Sequence, residues 1–180
     1  MKQSSLKLAS MFGYASVALA ADQALKIWVD KNLDLHTEQV ALIPGWFALT
    51  YTRNFGSAWS MLWGQRGLLI LIASAVAIGI IVYALRLKER SWIQMAGLGF
   101  LLGGAVGNLI DRARLGYVID MFNLQNGRYE NIFPIFNIAD IAIDVGVGLL
   151  LLFTYLVSRK EKAEAKAAAD AAARPVEGTP

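Results

Sequence analysis

Four apolar runs divide this chain, at about 8–29, 67–87, 92–110 and 137–157. Each is long enough for a helix that crosses roughly 30 Å of hydrocarbon. The run at 67–87, GLLILIASAVAIGIIVYALRL, is the cleanest, and its Ala73, Ala77 and Gly79 suit close helix contact. The run at 92–110 holds Gly97, Gly99, Gly103, Gly104 and Gly107, too many for a free-standing helix and suited to tight packing. The first run has a basic start, an apolar middle and the triplet Ala18-Leu19-Ala20, features shared with a cleaved signal peptide. Its apolar character continues through Ala24, Leu25, Ile27 and Trp28, so we read it as a retained helix. Within it, Asp22 and Lys26 share a helix face and can pair, at the least as an interfacial anchor.

Between the first two runs the period changes. Phe47, Leu49 and Tyr51 alternate with Ala48, Thr50 and Thr52, the pattern of a half-buried strand. Residues 40–43 and 46–52 read as short strands around the turn dipeptide Pro44-Gly45. In TRNFGSAWSMLWG, Asn54 and Gly56 tolerate positive φ and suit a sharp turn out of a strand. Trp59, Met61, Leu62 and Trp63 suit a short helix lying in the membrane surface, or an ordinary aromatic belt. Residues 111–136 read as a loop carrying Asp120, and 159–180 as an Ala- and charge-rich, partly helical tail. The pattern predicts a membrane all-α bundle of four transmembrane helices with a small extracytoplasmic β-sheet block at 30–66 and a surface helix. Residues 1–158 form the four-span membrane domain and 159–180 a cytoplasmic tail.

Composition agrees. The 180 residues are 56% hydrophobic and 17% charged, below the roughly 25% of a soluble domain. The absence of cysteine excludes disulfides, thiolate zinc sites and cysteine nucleophiles. A single histidine, His36 in a polar run, argues against a His-based metal cluster or a Ser-His-Asp triad. The net charge of +3 needs no nucleic-acid partner, because the basic residues follow topology. Lys2, Lys7, Arg86, Lys88, Arg90, Arg159, Lys160, Lys162, Lys166 and Arg174 fall on one side of a four-span chain. The positive-inside rule then puts both termini in the cytoplasm, with 30–66 and the Asp120 segment facing outward.

Ionisable groups at membrane depth are candidates for function. Asp22, Asp111, Asp120 and Asp140 fall toward the outer side, and Asp144 lies one turn deeper than Asp140 on the same face. Asp111 has Arg112 and Arg114 beside it and reads as a helix-end ion pair. Asp120 sits among Val118, Ile119, Met121 and Phe122, and Asp140 between Ala139 and Ile141. Two carboxylates in apolar settings can share one proton, because close like charges do not both ionise, and can serve together as base and acid. Such a dyad activates water against an amide carbonyl without metal or thiol. A proton relay through Asp140 and Asp144 uses the same residue type, and a non-catalytic scaffold is a third reading. A relay spreads acids through the bilayer depth and accompanies internal repeats. The acids here concentrate on one side, and no repeat is evident.

Four segments carry a resemblance: DQALK at 22–26, TRNFGSAWS at 52–60, GGAVGNLIDRARLGYVIDMF at 103–122 and FNIADIAIDVG at 136–146. In that order, over most of residues 14–150, the chain resembles the bacterial lipoprotein signal peptidases (signal peptidase II). The resemblance implies a four-span membrane aspartyl endopeptidase of the bacterial cytoplasmic (inner) membrane, monomeric, needing no cofactor or metal, with its active site near the outer face. It implies a catalytic pair at Asp120 and Asp140, supported by Asp22, Lys26, Asn54, Gly56, Asn108, Asp111, Arg112 and Asn137. It also implies a substrate: prolipoproteins carrying diacylglycerol on a cysteine, cut just before that cysteine, with membrane lipids as the other partner. Asn54 and Arg112 are then expected to hydrogen-bond substrate backbone or lipid ester, while Asn108 and Asn137 orient the dyad. The tail after Arg159 lies outside the resemblance.

Overall fold

The computed structural model describes residues 2–35, 39–56, 62 and 64–172. Seven elements follow in order: α1 (Lys2–Asn32), β1 (Gln39–Ile43), β2 (Phe47–Asn54), α2 (Arg66–Arg86), α3 (Trp92–Arg114), β3 (Val118–Leu124) and α4 (Ile138–Ala172). His36, Trp59, Met61 and Trp63 lie outside the described residues, and with them the expected surface helix.

Helix α3 is the centre of the bundle, with α1, α2 and α4 each packed against it. Its glycines explain why. A Cβ at Gly99 or Gly103 would strike the backbone of α1 at Met11 or Ala15, and one at Gly104 would overlap the Ala139 carbonyl of α4. Gly97 meets Gly146 of α4 in the same way. Gly79 of α2, expected to serve packing, has open space around it, while Ala77 is buried in the contact with α3.

Helices Arg66–Arg86 and Trp92–Arg114 and the segment Ile138–Asp170 of α4 are long and apolar enough to cross a membrane. The 31-residue α1 is not among them. Its C-terminal half carries Asp22 and Lys26, so its hold on the bundle comes from packing against α3 and from that charged pair. Helix α4 spans 35 residues, about 52 Å and more than a bilayer requires. The tail expected to begin at residue 159 continues this helix as far as Ala172.

The sheet is antiparallel in the order β1-β2-β3. Gly45 takes φ 76° in the hairpin between β1 and β2, where Trp46 N–H donates to the Ile43 carbonyl (2.9 Å). The expected loop at 111–136 is corrected in two places: α3 runs to Arg114, and residues 118–124 form β3. Strand β3 pairs Asp120 with Thr52 and Val118 with Asn54. Most of its side chains are buried on both faces, which removes the alternation that marks a half-exposed strand. Val29 of α1 and Leu33 just beyond its end pack with Leu49, Tyr51, Ile119 and Met121 to join the sheet to the bundle.

Candidate functional site

The two candidate carboxylates arrive on different elements, Asp120 from β3 and Asp140 from the first turn of α4. The sequence FNIAD builds that turn. Asn137 Oδ1 accepts from the Asp140 backbone N–H (3.0 Å), and Asp140 Oδ2 accepts from the Asn137 N–H (3.1 Å). This is a reciprocal capping box, with Asn as the cap and Asp three residues on. It satisfies donors that a helix start otherwise leaves unpaired. A third, Ala139 N–H, donates to Asp22 Oδ1 of α1 (2.9 Å).

Asn137 also links the two acids. Its Nδ2 donates to Asp120 Oδ1 (2.6 Å) and reaches Asn108 Oδ1 (3.2 Å). Asn108 Nδ2 in turn donates to Asp140 Oδ1 (2.9 Å). Asp120 has a second donor, Asn54 Nδ2 on its Oδ2 (3.0 Å). Asn54 was expected to allow a left-handed turn. Instead it is the last residue of β2, its amide holds Asp120, and its Oδ1 takes the Gly56 N–H (2.9 Å). The chain therefore turns by a side-chain hydrogen bond, as Asx turns do.

Behind the acids lies a buried charge cluster. Lys26 Nζ reaches Asp22 Oδ2 (2.9 Å), Asp111 Oδ2 (2.9 Å) and Asn108 Oδ1 (3.0 Å). Lys26 is 2% exposed and Asp22 0%, so their pairing belongs to the core and not to an interfacial anchor. The expected pairing of Asp111 with Arg112 and Arg114 is likewise corrected. Asp111 turns inward to Lys26, and its Oδ2 also accepts from Ile119 N–H (3.2 Å), which pins β3 to α3. Gln23, which sequence reasoning passed over, donates from Nε2 to Asp111 Oδ1 (3.0 Å), Asp22 Oδ2 (3.2 Å) and the Gly107 carbonyl (3.3 Å). Its place between Asp22 and Ala24, one turn before Ile27, offers no periodic signal of that role.

Arg112 points the other way. Its Nη2 donates to the Gly56 carbonyl (2.7 Å) and its Nη1 reaches the Asn108 carbonyl (3.4 Å). Its buried Nε has no partner among the described residues. Arg66, the first residue of α2, closes the C-terminus of α3 by donating to the carbonyls of Arg112 (2.8 Å) and Ala113 (2.9 Å). The sequence alone gives Arg66 no such role.

Burial, first, and the charge of Asp140, second, push the Asp120 carboxyl up to about 7, against the opposing pull of Asn54, Asn137 and Lys26. A carboxyl that titrates near neutrality beside a second carboxyl can give or take a proton at physiological pH. Among the described residues, no group of three or more His, Cys, Asp or Glu side chains could hold a metal ion. The structure thus gathers all ten predicted site residues into one connected region. Asp144 stands apart from it, exposed and one turn further along α4.

A membrane protein with paired, partly shielded aspartates under a small sheet fits an enzyme of the bilayer, and the comparisons agree. A bacterial membrane enzyme solved by the in meso method at 2.3 Å resolution is similar over 83% of this chain and 90% of its own, with TM-score 0.76 and 26% identity. Residues 14–156 match the family described as signal peptidase (SPase) II. The lipoprotein signal peptidase of Symbiobacterium thermophilum is 41% identical over 146 residues, covering 81% of this chain and 94% of that protein. That of Bacillus subtilis is 41% identical over 150 residues, covering 83% and 96%. The chain belongs to the signal peptidase II family, a family of membrane proteases.

Proposed function

We propose that this protein is an aspartyl endopeptidase that removes signal peptides from prolipoproteins carrying diacylglycerol, cutting before the lipidated cysteine. The observation that carries the reading is the bridge from Asn137 to both acids, by side chain to Asp120 and by capping box to Asp140. It ties both carboxyls to one asparagine. Asp120 holds the shared proton near neutrality, in keeping with its raised titration. Asp140 takes a proton from water as the oxygen adds to the scissile carbonyl, and Asp120 gives its proton to the carbonyl oxygen. Collapse of the tetrahedral carbon then breaks the C–N bond, and the amine of the cysteine leaves with a proton returned through the pair. Arg112, whose Nε has no partner among the described residues, is our candidate donor to substrate carbonyl or lipid ester.

In this reading α1 is the fourth span, both termini are cytoplasmic, and the pair works near the outer face of the inner membrane. The enzyme works as a monomer, and its substrates enter laterally from the bilayer. Burial of their acyl chains contributes about 0.8 kcal/mol per CH₂ toward binding.

The test is cleavage of a diacylglyceryl-modified prolipoprotein in detergent or vesicles. Asp120→Asn and Asp140→Asn should each abolish it while the protein still folds, and Asp144→Asn should be milder. Cleavage retained in both of the first two variants would refute the dyad. Loss in Asp144→Asn as complete as in Asp140→Asn would mean that the partner of Asp120 is Asp144.

A further inference from the structure

Asp144 is a carboxylate that the proposed mechanism leaves unused. It is exposed, and no described residue pairs with it. It stands roughly 9 Å along α4 from Ile138, inside the apolar stretch. A bare carboxylate against hydrocarbon at such depth is costly, and it is tolerated where water stands beside it.

Packing shows which side of α4 it occupies. The row that meets α3 is Ala139, Ile143, Gly146 and Leu150. Asp140 and Asp144 lie about a third of a turn round from that row. The opposite flank bears buried Ala142 and is the flank left for α1, which besides α3 packs on α4. The Asp144 flank therefore faces the gap between α4 and α2. These two helices both rest on α3 with little contact between them, which leaves room for a groove. At its outer end are Asp140, itself half-buried, and Asn108. From the sheet side Asp120 is only 3% exposed, so β3 and its neighbours screen the pair from above.

We propose that Asp144 keeps this groove hydrated to a full turn below Asp140, and that the water consumed in each cleavage reaches the pair along it. The proposal rests on the peptidase reading. Asp144 is then a positioning residue: it holds water and does not touch the reacting atoms. An amide of the same size holds water too, whereas an apolar side chain does not.

The chain contains no cysteine, so a single introduced thiol reports on one place. Val147 continues the Asp144 flank and Val145 lies on the far side of the helix, and both are exposed. A charged methanethiosulfonate reagent attacks thiols that water reaches. Val147→Cys should label faster than Val145→Cys. Adding Asp144→Leu should slow labelling at position 147, and adding Asp144→Asn should not. Without the cysteines, Asp144→Leu should lower kcat several-fold at unchanged KM, and Asp144→Asn should keep most of it. Equal labelling at 147 and 145, labelling at 147 indifferent to Asp144→Leu, or an unchanged kcat in that variant would each overturn the proposal. Labelling needs no turnover. Failure of the peptidase reading would show separately, as no cleavage by the parent chain.

Discussion

A lysine ammonium has three protons to place, and Lys26 places them on Asp22, Asp111 and Asn108. Removing that cation strands two buried carboxylates. Lys26→Met should therefore destabilise the protein by about 3–5 kcal/mol, seen as a lowered thermal midpoint in detergent, and cleavage should fall with it because Asn108 loses one of its anchors. A midpoint equal to the parent's would show that the cluster is not ionised as drawn. Part of this was legible in the sequence. Asp22 and Lys26 four apart announce a pair, and Asp120 and Asp140 stand out as acids without basic neighbours. What the sequence did not show is where Asp111 points. Arg112, next in the chain, points to a different face, and Arg114, three residues on, stays exposed while Asp111 turns inward to Lys26. Gln23 and Arg66 escaped for a related reason: their work is across elements, on groups distant in the chain.

Among the elements, α4 shows the closest tie between local sequence and site. Asn137 and Asp140 cap the helix with the same atoms that hold the acids in place. Asn137→Ala should cost about 1 kcal/mol of stability through the lost cap, but a far larger share of activity, since Asp120 loses its shortest hydrogen bond. Equal small losses in both assays would disconnect the cap from the site. Helix α3 makes a steric prediction. A methyl at Gly104 has no room beside the Ala139 carbonyl, so Gly104→Ala should push α4 away. We expect a destabilisation of about 1–3 kcal/mol and reduced cleavage, whereas Gly79→Ala on the open face of α2 should change neither. The apolar segments and the first two strands were readable from periodicity. Strand β3 was not, since a short strand buried on both faces and containing an aspartate looks like loop.

For the whole molecule, the raised titration of Asp120 couples stability to pH. The folded chain keeps a proton up to about 7 that an unfolded carboxyl gives up near its ordinary value. Between roughly pH 4 and 7 the folded state thus binds more protons, and stability falls as pH rises through that window. Asp120→Asn removes the effect. Its stability should gain on the parent by a few kcal/mol as pH goes from 4 to 7, measured by thermal unfolding at each pH, and a gap that narrows instead would contradict the assignment. The same group should set an alkaline limb near pH 7 in the cleavage profile, as Asp120 loses its proton.

The buried lysine also bears on how such a chain is assembled. Helix α1 is made first, yet it lacks the apolar character of α2, α3 and the first part of α4. Its ammonium finds Asp111 and Asn108 only once α3 is present. Assembly therefore has a late step, in which a loosely held first helix is locked by charge when the third arrives. With α2 anchoring either fragment, a cysteine placed in α1 should be labelled by a water-soluble thiol reagent in a chain cut after α2 and resistant to it in a chain extended through Arg114. Resistance already present in the shorter chain would rule out that order.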